Sequence, residues 1–201
     1  MPKRVDHDER KRHIAGALLR IAERQGLQHA TMRSVAAEAG VSLRLVQYYF
    51  HTKDELLLTA IGISAEQIGE RVRTRLLAAG AGAAPPPREF VTETLLAALP
   101  LDDDGVRITR TWAAFYSLVL AEPELTRLGA DHPNSLERLL ANQLRLAGRP
   151  EPEVTAAGLL ALTNGLASSI LGRQHDAGMA VTVLRHYLGM IFDSPGRESD
   201  G

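Results

Sequence analysis

The chain has 201 residues, 45% of them hydrophobic and 23% charged, and it contains no cysteine. Apolar content on this scale offsets the entropy of ordering and excludes intrinsic disorder as the main state; the missing cysteines exclude disulfide frameworks, thiolate metal sites and cysteine nucleophiles. A net charge of −1 hides an asymmetry, because residues 1–53 hold ten Lys and Arg against five acids whereas residues 54–201 hold 13 against 19. A basic head on an acidic body is the distribution expected where one part meets phosphate and the other does not.

The first helix is expected to end at Gly26, with Ile14, Leu18, Ile21 and Ala22 on one face. Its basic start is not a secretory signal, since Arg20 interrupts the apolar run IAGALLRIAE, and a cytoplasmic location is expected. Thr31 precedes a short helix, MRSVAAEA, which Gly40 stops, and Ser42 opens a third, LRLVQYYF. Thr52 and Glu55 have capping-box spacing, the threonine oxygen accepting from the Glu55 amide while Glu55 reaches back, and they start a long helix running to about Ala79.

GAGAAPPP over 80–87 reads as a linker, because three prolines stand where a dinucleotide loop would need a helix N-terminus. Further helices are expected over 87–99, 104–121, 134–147, 151–172 and 177–192, with a shorter turn around 123–130. Pro87 and Pro152 sit near first-turn positions, Asn134 with Glu137 has capping-box spacing, and Asp176 precedes the last helix. No strand-like alternation occurs. The fold class is all-α: a three-helix helix-turn-helix domain over 1–52, a connecting helix over 53–79, and a helical effector-binding and dimerisation domain over 80–201.

Thr31 to Phe50 reads helix, glycine turn, helix, the arrangement that lays a second helix in the major groove of DNA. With roughly 3.6 residues per turn, Ser42 and Phe50 fall on the Val46 side, which faces inward. Arg44, Leu45, Gln47 and Tyr48 fall outward. Arginine can donate two bonds to guanine, glutamine can pair with adenine, and leucine can pack on a thymine methyl. Ser42 can offer its hydroxyl and amide to a phosphate, and Tyr48 and Tyr49 have hydroxyls suited to the same oxygens. Lys53, in the first turn of the next helix, opposes the helix dipole unless a phosphate compensates it. A helical packing unit without DNA contact is the bland alternative.

These residues resemble the tetracycline-repressor (TetR) family of bacterial regulators. The likeness runs from about Arg12 to Leu58 and is carried by Thr31 and Arg33, Ala36, Ala39-Gly40-Val41-Ser42, Tyr49-Phe50, Lys53 and Leu56. It implies a homodimer on near-palindromic double-stranded operator DNA and a divergent C-terminal domain that dimerises and binds a small effector. Carried over by position, Thr31, Arg33, Ser42, Leu43, Arg44, Leu45, Gln47, Tyr48, Tyr49 and Lys53 would meet DNA. Leu-Arg-Leu after Ser42, where many relatives have a basic residue, Gly or Pro, and Thr or Ser, and Gln47 in the more usual place of tyrosine, leave the docking mode intact and the operator sequence open. The part from LPLDDDGVRITRTW onward looks like the choline/betaine-responsive subgroup.

In the second part, Ile108, Trp112, Phe115, Tyr116 and Val119 share a broad face that is either core or the lining of an effector cavity, with Asn164 needing a partner if buried. Val154 to Gly172 carries no charge, yet its polar residues lower its apolarity below that of a membrane span, and a helix buried between other helices is expected. Gly158, Ala161, Gly165 and Ser169 allow close helix approach, with Leu159, Leu162 and Leu166 beside them and Val183, Tyr187, Leu188 and Ile191 as a matching stripe; together they are the expected dimer contact.

The seven histidines lack metal-ligand spacing, and the calcium-like run Asp102-Asp103-Asp104-Gly105 has Ala113 where a glutamate is required. Those aspartates are expected to cap the next helix. No catalytic residue, metal or cofactor is assigned. A helical enzyme or ligand carrier remains the alternative, and repression and activation share one binding machinery.

Overall fold

A computed structural model describes residues 2–80, 85–121 and 135–193. Every regular element among them is helical: α1 (Pro2–Gln25), a 3-10 turn (Leu27–His29), α2 (Met32–Glu38), α3 (Leu43–Tyr49), α4 (Lys53–Ala78), α5 (Pro87–Ala97), α6 (Asp103–Ala121), α7 (Ser135–Leu146), α8 (Pro152–Leu171) and α9 (Ala177–Asp193). The boundaries follow the capping chemistry. Pro87 and Pro152 occupy first-turn positions, and Asp176 accepts the Met179 amide at 2.7 Å ahead of α9. The expected turn around 123–130 and the Asn134 cap lie outside the described residues.

The contacts divide the chain into two units, and the division passes through α4 and α6 rather than at the linker. In the first unit, α1 packs on α2 and α2 on α3. Its core holds Ile14, Leu18, Ile21, Val35, Val46, Phe50, Leu56 and Leu57, all at most 3% exposed. Burying side chains of this size contributes roughly 1.5–3 kcal/mol each. Phe115 of α6 belongs to the same core at 2% exposure. Glu38 of α2 accepts from Arg20 and Arg24 of α1; those hydrogen bonds, Arg20's first, hold its carboxyl below the ordinary value.

The second unit is built from residues 68–109 with α7, α8 and α9. Helix α8 lies on α7 and α9, and α5 packs against α7, α8 and α9. Val91, Leu95, Leu140, Leu144, Ala156, Leu159, Leu184 and Leu188 form its core. Arg149 donates to the Ile191 and Phe192 carbonyls at the end of α9, where unpaired helical carbonyls favour a cation. Arg88 pairs with Asp193 of the same helix end.

Asp102 does two jobs in this unit. Its carboxylate caps α6 through the Gly105 amide at 2.6 Å and meets Arg71 at 3.0 and 3.1 Å. Glycine at 105 keeps this approach uncrowded, since a Cβ there would stand 3.0 Å from both the Arg71 guanidinium and the Leu99 carbonyl. Hydrogen bonds from Arg71, then from Gly105, hold the Asp102 carboxyl below its ordinary value. A depressed folded-state pKa means stability present above the unfolded value and lost as pH falls through the folded one. Asp102→Ala should therefore melt below the wild type at neutral pH, and thermal melts should show the gap closing as Asp102 protonates in acid.

Helix α8 is long and apolar enough to cross a membrane by length and composition. One side of it fills the second core through Ala156, Leu159, Leu160, Thr163, Leu166 and Ala167. The other side is exposed within this chain, at Val154, Gly158, Ala161, Asn164, Gly165 and Ser168. The expectation of a helix buried between other helices thus holds within this chain for one side of α8.

Candidate nucleic-acid interface

Local chemistry builds the α2–turn–α3 segment. Thr31 Oγ1 accepts the Ser34 amide at 3.1 Å while Ser34 Oγ accepts the Thr31 amide at 2.9 Å. After α2, Gly40 takes φ +65°, which lets its own amide reach the Ala37 carbonyl and the Val41 amide reach that of Ala36. Ser42 then caps α3, its Oγ accepting the Leu45 amide at 3.1 Å. At φ −71° and ψ 148° Ser42 is extended and not helical, so a helical wheel does not apply to it, and it is exposed where the sequence pattern places it inward. Its hydroxyl proton stays available to a phosphate.

Val46 and Phe50 are buried as expected, at 0% and 1% exposure. Arg44, Gln47 and Tyr48 stand exposed, with Leu45 half-buried beside them. Leu43 and Tyr49 pack against the core of the unit. Tyr49 also touches two rings, Tyr48 edge-on at 5.2 Å and His7 of α1 at 4.7 Å. Sequence reasoning missed His7, although its spacing to Ile14 and Leu18 on one face of α1 marks it.

Lys53 is the first residue of α4 and is exposed. The Thr52 hydroxyl accepts the Glu55 amide at 3.1 Å as expected, but Glu55 reaches one residue further back, to the His51 amide at 2.9 Å. That bond is the main reason its carboxyl sits below the ordinary value. Several arginines elsewhere meet carboxylates, among them Arg12 with Glu66, Arg71 with Asp102 and Arg75 with Glu93. Arg33, Arg44 and Lys53 meet none among the described residues. Three exposed cations without carboxylates, on a polar face beside a buried core, suit an anionic surface brought from outside.

Two family descriptions match the chain: bacterial regulatory proteins of the tetR family over residues 14–60, and the C-terminal domain of BetI-type transcriptional repressors over residues 87–193. The chain belongs to the TetR family. PksA of Bacillus subtilis, an HTH-type transcriptional regulator, is 31% identical over 174 residues, covering 83% of this chain and 81% of that protein. A transcriptional regulator from Rhodococcus sp. Rha1 has a crystal structure that matches with a TM-score of 0.76 at 29% identity, over 91% of this chain and 96% of that one. A further regulator, from Saccharomonospora viridis and crystallised in complex with choline, shares the fold with a TM-score of 0.68 at 21% identity, over 92% of this chain and 96% of that one. The chain is thus a DNA-binding transcriptional regulator, from a family of regulators rather than of enzymes.

In this TetR-family chain the remaining expected site residues scatter. Phe115 lies in the core of the first unit, Tyr116 is 65% exposed, and Trp112 is half-buried with a buried indole N–H that has no partner among the described residues. Asn164 is exposed on α8 and has no desolvated amide to satisfy within the chain. Of the expected dimer stripe, Leu159, Leu166 and Leu188 are spent in the second core at 3%, 7% and 2% exposure. Leu162, Ser169, Val183 and Ile191 are half-buried, and Gly158, Gly165 and Tyr187 are exposed. The exposed large apolar residues on α8 and α9 are Val154, Met179, Met190 and, from the expected stripe, Tyr187.

Proposed function

We propose that this regulator binds a near-palindromic operator as a two-fold homodimer and represses until a small molecule releases it. The observation carrying the reading is the α3 face: exposed Arg44, Gln47 and Tyr48 around buried Val46, with Lys53 and Arg33 uncompensated on either side. Arg44 and Gln47 read base edges, Leu45 packs on a thymine methyl, and Thr31, Arg33, Ser42, Tyr48, Tyr49 and Lys53 position the protein on phosphates with support from Leu43. Residues 1–52 act as the reading domain, 53–79 as the connecting helix and 80–201 as the effector and dimer domain, working in the cytoplasm.

Two recognition helices reach successive major-groove faces only when held about 34–36 Å apart, which requires a fixed pair of subunits. The exposed side of α8 with the open residues of α9 supplies the pairing surface. An effector acts by binding more tightly to a dimer whose helices no longer match that spacing. The choline-bound relative of the same fold supports a small organic effector.

A gel shift with the DNA just upstream of the protein's own coding sequence tests the reading. Preference for that duplex over random sequence supports it; equal or no binding in dilute buffer overturns it. In the same assay Lys53→Ala should weaken all duplexes alike and lower the slope of log K against log salt by about one unit. A loss confined to one sequence would contradict the assignment of Lys53 to phosphate.

A further inference from the structure

Hydroxyls on the helices of this chain have a common habit. Those of Thr59, Thr92, Thr163, Ser168 and Thr182 each donate to the carbonyl four residues back, at 2.8–2.9 Å. Ser64 of α4 departs from it. The residue is 1% exposed, and its hydroxyl meets neither the Ala60 carbonyl nor any other partner among the described residues. The indole N–H of Trp112 on α6 is likewise buried and unpaired, although its ring is partly open. Thr94 holds the third such atom among the described residues, and it belongs to the second unit. A buried donor without an acceptor costs stability, so two in one unit need a reason.

Register brings these two together. Ser64 follows Leu57 and Ala60 by seven and four residues, on the face of α4 that enters the first core. Trp112 precedes Phe115 by three, on the face of α6 that enters the same core. Helix α4 leaves this unit and α6 enters it, so both residues stand about one turn beyond the shared core at the same end. Arg71 points to the same register. It pairs with Asp102, and its guanidinium lies 3.0 Å from where a Gly105 Cβ would stand. Seven residues along each helix from Arg71 and Gly105 lie Ser64 and Trp112, two turns that keep each on the side facing the other helix.

The chemistry of the pair limits what can satisfy it. An indole N–H only donates and a hydroxyl can donate beside it, so a ligand must bring an acceptor. No residue three or four away from either one is charged, and Ile61 and Phe115 among them are apolar. Glu66, two residues beyond Ser64, is already engaged by Arg12. A carboxylate buried here would lack a cation, and an ammonium would leave both donors unpaired. An uncharged carbonyl oxygen has two lone pairs, one for each donor.

We propose that Ser64 and Trp112 form the polar end of the effector site, giving two hydrogen bonds to one carbonyl oxygen of an uncharged, otherwise apolar molecule. The proposal rests on the reading that a small molecule releases this regulator. It places half of the site on the connecting helix rather than within 80–201.

The test titrates the full chain with three probes that share a cyclohexyl body: cyclohexyl methyl ketone, cyclohexanecarboxylate and cyclohexyltrimethylammonium. Trp112 is the one tryptophan of the chain, so its fluorescence reports the site directly. The ketone should give a saturable change, with a Kd on the order of 1 mM for so small a molecule, and should raise the melting temperature. The other two should bind at least about tenfold more weakly. Ser64→Ala should weaken ketone binding about 3- to 10-fold. Without ligand it should melt no lower than the wild type, because the hydroxyl it loses is unpaired. Trp112→Phe, followed by melting temperature, should weaken the ketone to a similar degree.

Equal response to all three probes, preference for the ammonium, or no saturable response to the ketone overturns the proposal. So does a Ser64→Ala chain that melts lower and binds the ketone as before, since that serine would be structural. Anisotropy with the duplex upstream of the coding sequence keeps the two readings apart. Ketone binding that Ser64→Ala weakens, with operator affinity unmoved, leaves the site standing and overturns release through it.

Discussion

Gly165→Arg should run as a single subunit in size-exclusion chromatography with light scattering, and it should lose at least about 100-fold in affinity for its operator, toward the level of non-specific binding. Glycine inside a helix costs roughly 0.5–1 kcal/mol relative to alanine. Helix α8 carries it at both 158 and 165, and a Cβ built at either position meets nothing within 4 Å. The chain itself therefore gives no reason for glycine at either place. Both lie on the exposed side of α8, with Val154 67% exposed on the same side and Met179 and Met190 of α9 at 50% and 56%. A second copy packed closely there would explain both the missing Cβ atoms and the uncovered apolar groups. Arginine brings bulk and charge onto that surface without touching the core of its own subunit, so the melting behaviour of the unit should survive. A variant that stays dimeric would move the interface elsewhere.

What could be read from sequence tracks how local the determining physics is. Thr31, Gly40, Ser42, Thr52 and Asp176 act on amides or carbonyls within about a turn of themselves, and they mark the helix ends within a few residues. Val46 and Phe50 were legible as core because charged and polar neighbours show which way solvent lies. Helix α8 offers no such marker: it is uncharged over Val154 to Leu171, and its leucines look as suited to a partner as its glycines. Only packing against α7 and α9 shows that Leu159 and Leu166 face inward while Gly158 and Gly165 face out. Phe115 was illegible for a related reason. Its periodicity identifies a buried face on α6 but not which of two cores receives it, and the answer depends on contacts some 50–100 residues away along the chain. The division of α4 and α6 between the two units likewise has no marker in composition or capping along the chain. The spacing of His7 puts it on the Ile14 and Leu18 face of α1, but its contact with Tyr49 shows only once the third helix is seen to end beside the first.

Arg44→Ala should cost about 1–3 kcal/mol of operator affinity, roughly one to two powers of ten, and relax specificity at one base pair of each half-site. Arg44 is the second residue of α3, exposed, without a carboxylate among the described residues, and held by a helix whose start is capped by Ser42 and whose far side is locked by Val46 and Phe50. A guanidinium so placed can present two donors in a fixed fork, which guanine accepts at O6 and N7 and adenine cannot. The effect must differ in kind from that of Lys53. Loss of a phosphate contact lowers affinity for every sequence and flattens the salt dependence, whereas loss of a base reader leaves non-specific binding nearly unchanged and collapses the ratio between specific and random duplexes. Competition titrations of wild type and variant against duplexes altered singly at each half-site position would locate that pair. A uniform loss across all of them would place Arg44 on the backbone, and unchanged binding to the native operator would remove it from the readers and leave Gln47 to carry the discrimination.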